Sequence, residues 1–139
     1  MEKILTVVDF SEATSEITKN AVKLAKAFSA KVYLVHALSP NEGLESGATN
    51  DVTQDFPDET TELNELANTL RQQDIETHAI LAAGIPSQVI MDEANNIKAD
   101  LIIAGSHGHG GLTNMILGDV IQDILRHANV PILIIPEHD

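Results

Sequence analysis

The sequence predicts an α/β protein with a five-stranded parallel sheet and helices on both of its faces. Short apolar runs alternate with longer segments of helical periodicity. The runs are nearly continuous in Val, Ile, Leu and Ala, which is typical of parallel strands that helices cover on both sides. Aromatic residues make up only 3% of the chain, so its core must be aliphatic. A chain of 139 residues is long enough to bury such a core as a single domain, residues 1–139.

The five predicted strands are the apolar runs themselves. They are Ile4–Val8, Val32–Leu38, Ile75–Leu81, Leu101–Ala104 and Ile132–Ile135. Four of them are almost purely aliphatic, whereas the third begins with polar residues. A partly polar strand suits a position with less cover, so we expect the third strand near an edge of the sheet.

Four amphipathic helices are predicted between the strands, because apolar residues recur there at a spacing of three and four. The apolar faces are Ile17, Ala21, Leu24, Ala25 and Phe28; then Leu63, Leu66, Ala67 and Leu70; then Val89, Ile90, Ala94 and Ile97; and last Val120, Ile121, Ile124 and Leu125. Strands that alternate with helices predict a parallel sheet with right-handed crossovers.

One segment, residues 39–58, departs from this alternation. It is rich in proline, glycine and acidic residues, which predicts a mobile acidic loop between the second strand and the second helix. The loop is either a solvated connector or a lid or partner-docking element beside a ligand crevice.

Charge and composition exclude several functions. The formal net charge of −13 repels nucleic-acid backbones and anionic membranes, so we expect no nucleic-acid partner. The chain has no cysteine, which excludes disulfides, thiol catalysis and cysteine-zinc sites. No apolar stretch approaches the ~20 residues that span a bilayer, and we expect no signal peptide. We expect a cytoplasmic protein without membrane insertion.

The residues between Gly105 and Gly118 are the strongest candidate for a binding site. Four glycines occur within seven residues, directly after the buried fourth strand. Glycine lets a ligand approach backbone N–H groups closely. A loop of this kind between a strand and a helix N-terminus is a ready anion site, and ligands of open α/β sheets bind at this end of the strands. The pattern indicates either a phosphate-binding loop or a tight turn.

The glycine spacing Gly105-x2-Gly108-x9-Gly118 resembles the nucleotide-binding signature of universal stress proteins, in which Ser or Thr follows the last glycine. The resemblance extends along most of the chain. It includes 4–11, with the sequence ILTVVDFS, 125–128, with LRHA, and 130–136, with VPILIIP.

The resemblance implies an open, Rossmann-like sheet with strand order 3-2-1-4-5 and a homodimer formed through the last strand, 130–135. It also implies ATP as a ligand, held by the backbone of the signature. The phosphate contacts would fall on Gly105, Gly108, Gly118 and Val120. The ribose and adenine contacts would fall around Asp9, Val35, His36 and Ala37.

Asp119 stands where the family has Ser or Thr, and an ionised carboxylate cannot donate to a phosphate. A carboxylate 4 Å from a phosphate costs about 1 kcal/mol per charge pair in water. The helix dipole stabilises a nearby anion by only about 0.3–1 kcal/mol, so the repulsion is at least as large. Three roles stay open for Asp119. It caps the last helix and closes the phosphate site, it holds a Mg²⁺ with Asp9 that bridges to phosphates, or it points outward.

The remaining polar candidates have simpler interpretations. The histidines that could imitate a metal site are His107, His109 and His36, but no third ligand stands at a fixed spacing from the first two. We therefore expect loop histidines that bind no metal. His109 could add pH-dependent positive charge near a phosphate. Ser106 stands beside His107, but the G-x-S-x-G motif around a hydrolase nucleophile is absent. Asp9 either contacts ribose or caps the first helix together with Ser11.

His127 on the last helix is interpreted as a surface or capping residue.

Two functions follow. The first is a stress-response regulator that binds an adenine nucleotide and acts on an unknown regulatory protein partner. We expect this regulator to hydrolyse ATP slowly at most, because no residue resembles an activated nucleophile or a tuned base. The second is a dimeric interaction protein that binds no nucleotide because Asp119 blocks the phosphate site.

Overall fold

The computed structural model describes residues 1–38, 57–106 and 118–137. In these segments five strands alternate with four helices. In chain order they are β1 (Lys3–Val7), α1 (Thr14–Phe28), β2 (Lys31–Leu38), α2 (Pro57–Arg71), β3 (Thr77–Ala83), α3 (Pro86–Ile97), β4 (Leu101–Gly105), α4 (Asp119–His127) and β5 (Ile132–Ile135). The alternation of strands and helices predicted from the sequence is confirmed.

The strands form one all-parallel sheet with the order β3-β2-β1-β4-β5. β1 occupies the centre, where Ile4 lies between Val32 of β2 and Leu101 of β4. β3 and β5 are the two edges, which confirms the predicted edge position of the third strand. Since chain order runs from β1 to β3 on one side and from β4 to β5 on the other, the direction of winding reverses between β1 and β4.

Two aliphatic layers cover the sheet. On one face, α1 and α2 pack on residues such as Ile4, Leu34 and Ile103. On the other face, α3 and α4 pack on residues such as Leu5 and Ile102. Successive residues of one strand therefore pack into opposite cores. This explains why the strands are continuous apolar runs in the sequence and do not alternate between apolar and polar residues.

The helix stripes predicted from the sequence face these cores with two exceptions, Phe28 of α1 and Leu125 of α4, the latter with 45% of its surface exposed. Phe28, expected on the buried face of α1, has 52% of its surface exposed. α1 ends directly after it, because Ser29 adopts the left-handed conformation with φ 56° and bonds back to the carbonyl of Ala25. Phe28 therefore lies on the last turn, where Ala25 and Ala30 are buried in its place.

The third strand begins and ends two residues later than its apolar run predicts. Ile75 is buried, but its N–H bonds to the Leu70 carbonyl at 3.4 Å and so belongs to the end of α2. The Arg71 guanidinium donates twice to the Thr77 carbonyl, at 3.0 and 2.8 Å. The end of α2 and the start of β3 are thus fixed together, and the buried residue Ile75 lies between them.

The predicted acidic loop overlaps the second helix at its end. α2 begins at Pro57, so residues 57 and 58 are helical, consistent with the preference of proline for the first helical turn. The rest of that prediction, residues 39–56, lies outside the described residues. None of the helices in the described ranges has the length and apolar character needed to cross a bilayer.

Candidate functional site

The candidate site lies at the carboxyl ends of β1 and β4, where the winding of the sheet reverses. α1 leaves β1 toward one face and α4 follows β4 toward the other. The two helix N-termini and the ends of two strands therefore meet at the point where the winding reverses, which is where open α/β sheets form the crevice that binds their ligands. The sequence-predicted residues Asp9, Gly105, Gly118 and Asp119 all follow or end these two strands.

After β1 the chain makes a tight turn that Asp9 stabilises. Asp9 Oδ1 accepts the backbone N–H of Ser11 at 2.9 Å, and Phe10 adopts a left-handed conformation with φ 60°. A bulky residue in that conformation is strained and persists only where its surroundings hold it. The N-cap of α1 is Ala13, which forms no side-chain cap. The expectation that Asp9 caps α1 is therefore wrong, and its carboxylate supports the preceding turn instead.

His36, close to the end of β2, is oriented by the end of β1. Its Nδ1 lies 2.9 Å from the Val8 carbonyl oxygen, and because a carbonyl only accepts, Nδ1 carries the hydrogen. The imidazole also contacts the Phe10 ring, with centroids 4.8 Å apart and an interplanar angle of 57°. Two rings from neighbouring strands thus meet at the predicted adenine side of the crevice.

The neighbours of His36 differ in accessibility. The Val35 side chain is fully buried, and its carbonyl accepts the Val8 N–H at 2.9 Å. Ala37 is half-buried. A ligand at this edge would therefore meet His36 and Ala37 rather than the Val35 side chain.

Ser106 joins three segments at the end of β4. Its N–H donates to the Ile135 carbonyl at 3.0 Å, and its carbonyl accepts the Gly118 N–H at 2.9 Å. Its hydroxyl oxygen accepts the Glu137 N–H at 3.0 Å. Ser106 thereby connects β4, the start of α4 and the segment after β5, which is a structural role rather than that of a nucleophile.

Glu137 lies directly against Gly105. A Cβ atom at Gly105 would be 3.1 Å from the Glu137 carboxyl carbon, closer still to its Oε2, and 3.3 Å from Ile17 Cδ1. In its present position, between the end of β4 and the first turns of α1, the carboxylate leaves no room for a Cβ atom at residue 105. The sequence motif did not indicate Glu137, because its position depends on β5 pairing with β4, with Ile135 opposite Gly105.

Asp119 is the first residue of α4 and is exposed. The N-cap is Gly118, which has no side-chain cap, so the expectation that Asp119 caps the helix is wrong. Its carboxylate instead lies in the first turn, where it complements the positive end of the helix dipole. Val120 follows it, half-buried against the core under α3 and α4.

A magnesium ion at this edge would need ligands beyond the described side chains. Within residues 1–38, 57–106 and 118–137, no three His, Asp or Glu side chains are grouped to hold a metal ion. Asp9 and Asp119 could therefore contribute to a Mg²⁺ site only together with further ligands, and phosphate oxygens are among those that magnesium accepts.

Three predicted residues, Gly108, His107 and His109, lie outside the described residues. His127 is described and lies at the far end of α4. Its Nδ1 is 2.9 Å from the Asp123 carbonyl oxygen, so it caps the helix C-terminus, as one of its two interpretations predicts.

Most of the Lys and Arg residues lie away from this crevice. All eight Lys and Arg residues of the chain belong to the described segments. Six of them occupy the first residue of a strand or the last turn or C-cap of a helix, which places them at the opposite edge of the sheet: Lys3, Lys26, Lys31, Arg71, Lys98 and Arg126. The other two, Lys19 and Lys23, are exposed on α1, and Lys19 pairs with Glu16 at 3.1 Å.

Fold and crevice together define an open parallel α/β protein with a ligand site at the point where its winding reverses. The family model described as the universal stress protein family matches residues 1–136. The chain belongs to the universal stress protein family.

Individual relatives agree with this family. A universal stress protein of Methanocaldococcus jannaschii is 30% identical over 138 residues, which cover 96% of this chain and 81% of the relative. A second one from the same organism is 28% identical over 153 residues, covering 96% and 94%. Its solved structure matches with a TM-score of 0.80 over 99% of this chain and 97% of that one. A universal stress protein from Lactobacillus plantarum has a TM-score of 0.82 at 18% identity, covering 96% and 97%.

Proposed function

We propose that this chain is a cytoplasmic stress-response regulator that binds an adenine nucleotide, and that it is not a dedicated enzyme. The observation that carries the proposal is the crevice itself, in which the ends of β1 and β4 meet two helix N-termini beside Gly105 and Gly118. Backbone N–H groups and helix dipoles are suited to hold a phosphate there. The family resemblance names ATP, and Mg²⁺ would accompany it.

Two structures of the same fold support an adenine ligand. One universal stress protein was solved in complex with cAMP and another, from Archaeoglobus fulgidus, in complex with dAMP. In this chain the Phe10 and His36 rings provide apolar surface at the edge of β1 and β2, as a purine base requires. The Nδ1–H of His36 is engaged by Val8, so a neutral ring offers Nε2 as an acceptor.

The first experiment is the absorbance spectrum of freshly purified protein, followed by denaturation and chromatography of what is released. The chain has no Trp and a single Tyr, so even partial adenine occupancy dominates near 260 nm. The proposal expects a released adenine nucleotide, or its uptake after incubation with nucleotide and Mg²⁺. A bare spectrum under both conditions would overturn it.

A matched pair of histidine variants locates the site. His36→Ala removes a ring from the crevice, whereas His78→Ala removes one from the opposite edge, where it stacks on Tyr33 at 4.7 Å. We expect His36→Ala to weaken nucleotide binding and His78→Ala to leave it unchanged, measured by isothermal titration calorimetry. Equal effects of both variants would contradict this location.

The alternative function is a dimeric interaction protein that binds no nucleotide. Glu137 favours it, because its carboxylate already lies against Gly105, the first glycine of the signature. In that case the chain acts through contacts with a regulatory partner, and the spectrum stays bare while the dimer persists.

We propose that the dimer forms through residues 130–135. β5 is an edge strand whose four residues are all Ile or Leu, and such an edge pairs readily with a second copy. Pro131 and Ile135 direct their carbonyls to β4, so Ile134, one residue before Ile135, directs its backbone N–H to the open edge. Ile134→Pro should therefore block strand pairing between copies and spare the bonds to β4. Analytical ultracentrifugation should show a dimer for the parent chain and a monomer for the variant.

A further inference from the structure

We propose that α4 takes part in the dimer, with the Leu125 side chains of the two copies packed against each other above the paired β5 strands. The occupant of this surface is a second copy of the chain. The proposal rests on the proposed dimer through residues 130–135, and it adds a contact between helices that strand pairing alone does not require.

An aliphatic surface runs from α4 onto the edge of the sheet. Leu125 has 45% of its surface exposed, although its neighbours in the same apolar stripe, Ile121 and Ile124, are buried. Ile132 and Ile134 of β5 pack on the core under α3 and α4 and are only half-buried. The helix and the edge strand therefore present apolar side chains on the same face of the sheet.

Leu125 lies on the side of α4 that faces the edge of the sheet. Asp123 Oδ2 accepts the Ser87 hydroxyl of α3 at 3.3 Å, so the Asp123 side of α4 is turned toward α3. Leu125 follows two residues later, about 200° around the helix, and so lies on the side away from α3. Since α3 packs over β1, β2 and β3 and β5 is the outer strand, that side of α4 faces outward past β5.

A two-fold axis between two β5 strands would bring the two copies of α4 together. Two copies of one edge strand pair antiparallel about an axis perpendicular to the sheet, so both helices lie on the same face. α4 packs with residues of both β4 and β5, such as Ile102 and Ile132. Because strands are about 4.8 Å apart, helices above the gap between β4 and β5 would lie about 10 Å apart, which is the spacing of packed helices.

The charge of this surface fits a second copy of an acidic chain. Two protomers with a net charge of −13 repel each other, so self-association favours a surface without charge. Residues 128–136 contain no charged side chain. Arg126, which follows Leu125, is paired with Asp123 at 3.6 Å within the helix. A charged partner would find no opposite charge on this strand, whereas an identical strand meets no repulsion.

Cross-linking tests the contact directly, because the chain has no cysteine of its own. Leu125→Cys, treated with a short bismaleimide at low protein concentration, should give a covalent dimer on a denaturing gel. Phe28→Cys is the matched control, since it places a cysteine at another exposed apolar residue, on the last turn of α1. The control should remain a monomer on the gel.

Sedimentation equilibrium measures the contribution of the side chain. Leu125→Ala should raise the dissociation constant of the dimer at least about tenfold, because the apolar contact is lost in both copies. Leu125→Glu should raise it further, because two carboxylates then meet at the axis. Phe28→Ala should leave it unchanged.

Two results would overturn the proposal, and they are distinguishable. If the parent chain dimerises and Ile134→Pro abolishes the dimer, but Leu125→Ala does not weaken it and Leu125→Cys does not cross-link, the strands pair without α4. If the parent chain is a monomer at every concentration, the proposed dimer fails and the contact between helices fails with it. Neither result bears on the binding of an adenine nucleotide, which the absorbance spectrum decides.

Discussion

Substitution of Gly105 by alanine tests the contact between β4 and the C-terminal segment directly. The new methyl group would lie 3.1 Å from the Glu137 carboxyl carbon and 3.3 Å from Ile17 Cδ1. The still closer approach to Glu137 Oε2 requires the carboxylate to move away, and the contact with Ile17 requires its methyl group to shift by a few tenths of an ångström. Because Glu137 is a flexible side chain and Ile17 is part of the core, we expect the carboxylate to take most of the displacement.

The free energy of unfolding should fall by about 1 kcal/mol in Gly105→Ala. Overpacking of a filled site costs about 1–3 kcal/mol, and the loss of backbone freedom in the unfolded chain returns about 0.4–1 kcal/mol. This return applies because Gly105 lies in a strand and is not among the described residues with positive φ. For a chain of 139 residues, 1 kcal/mol corresponds to a shift in Tm of about 3 °C.

A double-mutant cycle with Glu137→Ala isolates the contact. When the carboxylate is removed first, the obstacle to the new methyl group is gone, and Gly105→Ala should be neutral or stabilising by up to about 1 kcal/mol. The four proteins are compared by urea denaturation followed by circular dichroism. If Gly105→Ala costs the same with and without the Glu137 side chain, then Ile17 or the backbone is the obstacle, and the carboxylate does not lie against β4 in solution.

Two further predictions concern the fold. Thr6 is fully buried in β1, and its hydroxyl has no hydrogen-bond partner in the described part of the chain; Thr6→Val should therefore raise the free energy of unfolding by about 1–2 kcal/mol. Thr18→Val is the control and should lower the free energy of unfolding, because the Thr18 hydroxyl donates to a helix carbonyl at 2.9 Å. A loss of stability in Thr6→Val would show that the Thr6 hydroxyl is hydrogen-bonded. Backbone hydrogen bonds from Glu2 and Lys3 lower the pKa of Asp100, so its stabilisation is present above its unfolded pKa of about 3.9 and is lost as pH falls through the lower folded pKa. The difference in unfolding free energy between the parent and Asp100→Asn should therefore be constant near pH 7 and shrink below about pH 4, and a difference that does not change with pH would contradict this.

The sheet could be predicted because each strand has two buried faces. A strand covered on both sides has to be apolar at every position, so four of the five runs mark their strands to within a residue. Ile75 shows where an apolar run fails to mark a strand. A buried apolar residue just after a helix cannot be told from the first residue of a strand by its sequence. Phe28 shows a second failure, because periodicity does not indicate where a helix passes the edge of the core.

The site was predicted only where it is local in sequence. Asp9 and Gly105 each follow or end a strand, so their place at the carboxyl edge follows from the parallel sheet alone. The role of Glu137 could not be found in this way, since a contact between residues 105 and 137 depends on the register of β4 and β5. The available signal was the pairing of two aliphatic runs, which brings the residue two positions after Ile135 alongside Ser106.

The charge of the crevice is a consequence of how the helices are stabilised. α1, α2 and α4 each have acidic residues in the first turn and basic residues in the last, as the helix dipole favours. In a parallel α/β fold every helix begins beside the carboxyl ends of the strands, so the same local preference, repeated in each helix, collects acids at the ligand edge and bases at the other. Each helix gains about 0.3–1 kcal/mol per charge from this arrangement, so the acidity of the described part of the ligand edge comes from the stabilisation of the helices and needs no ligand to explain it.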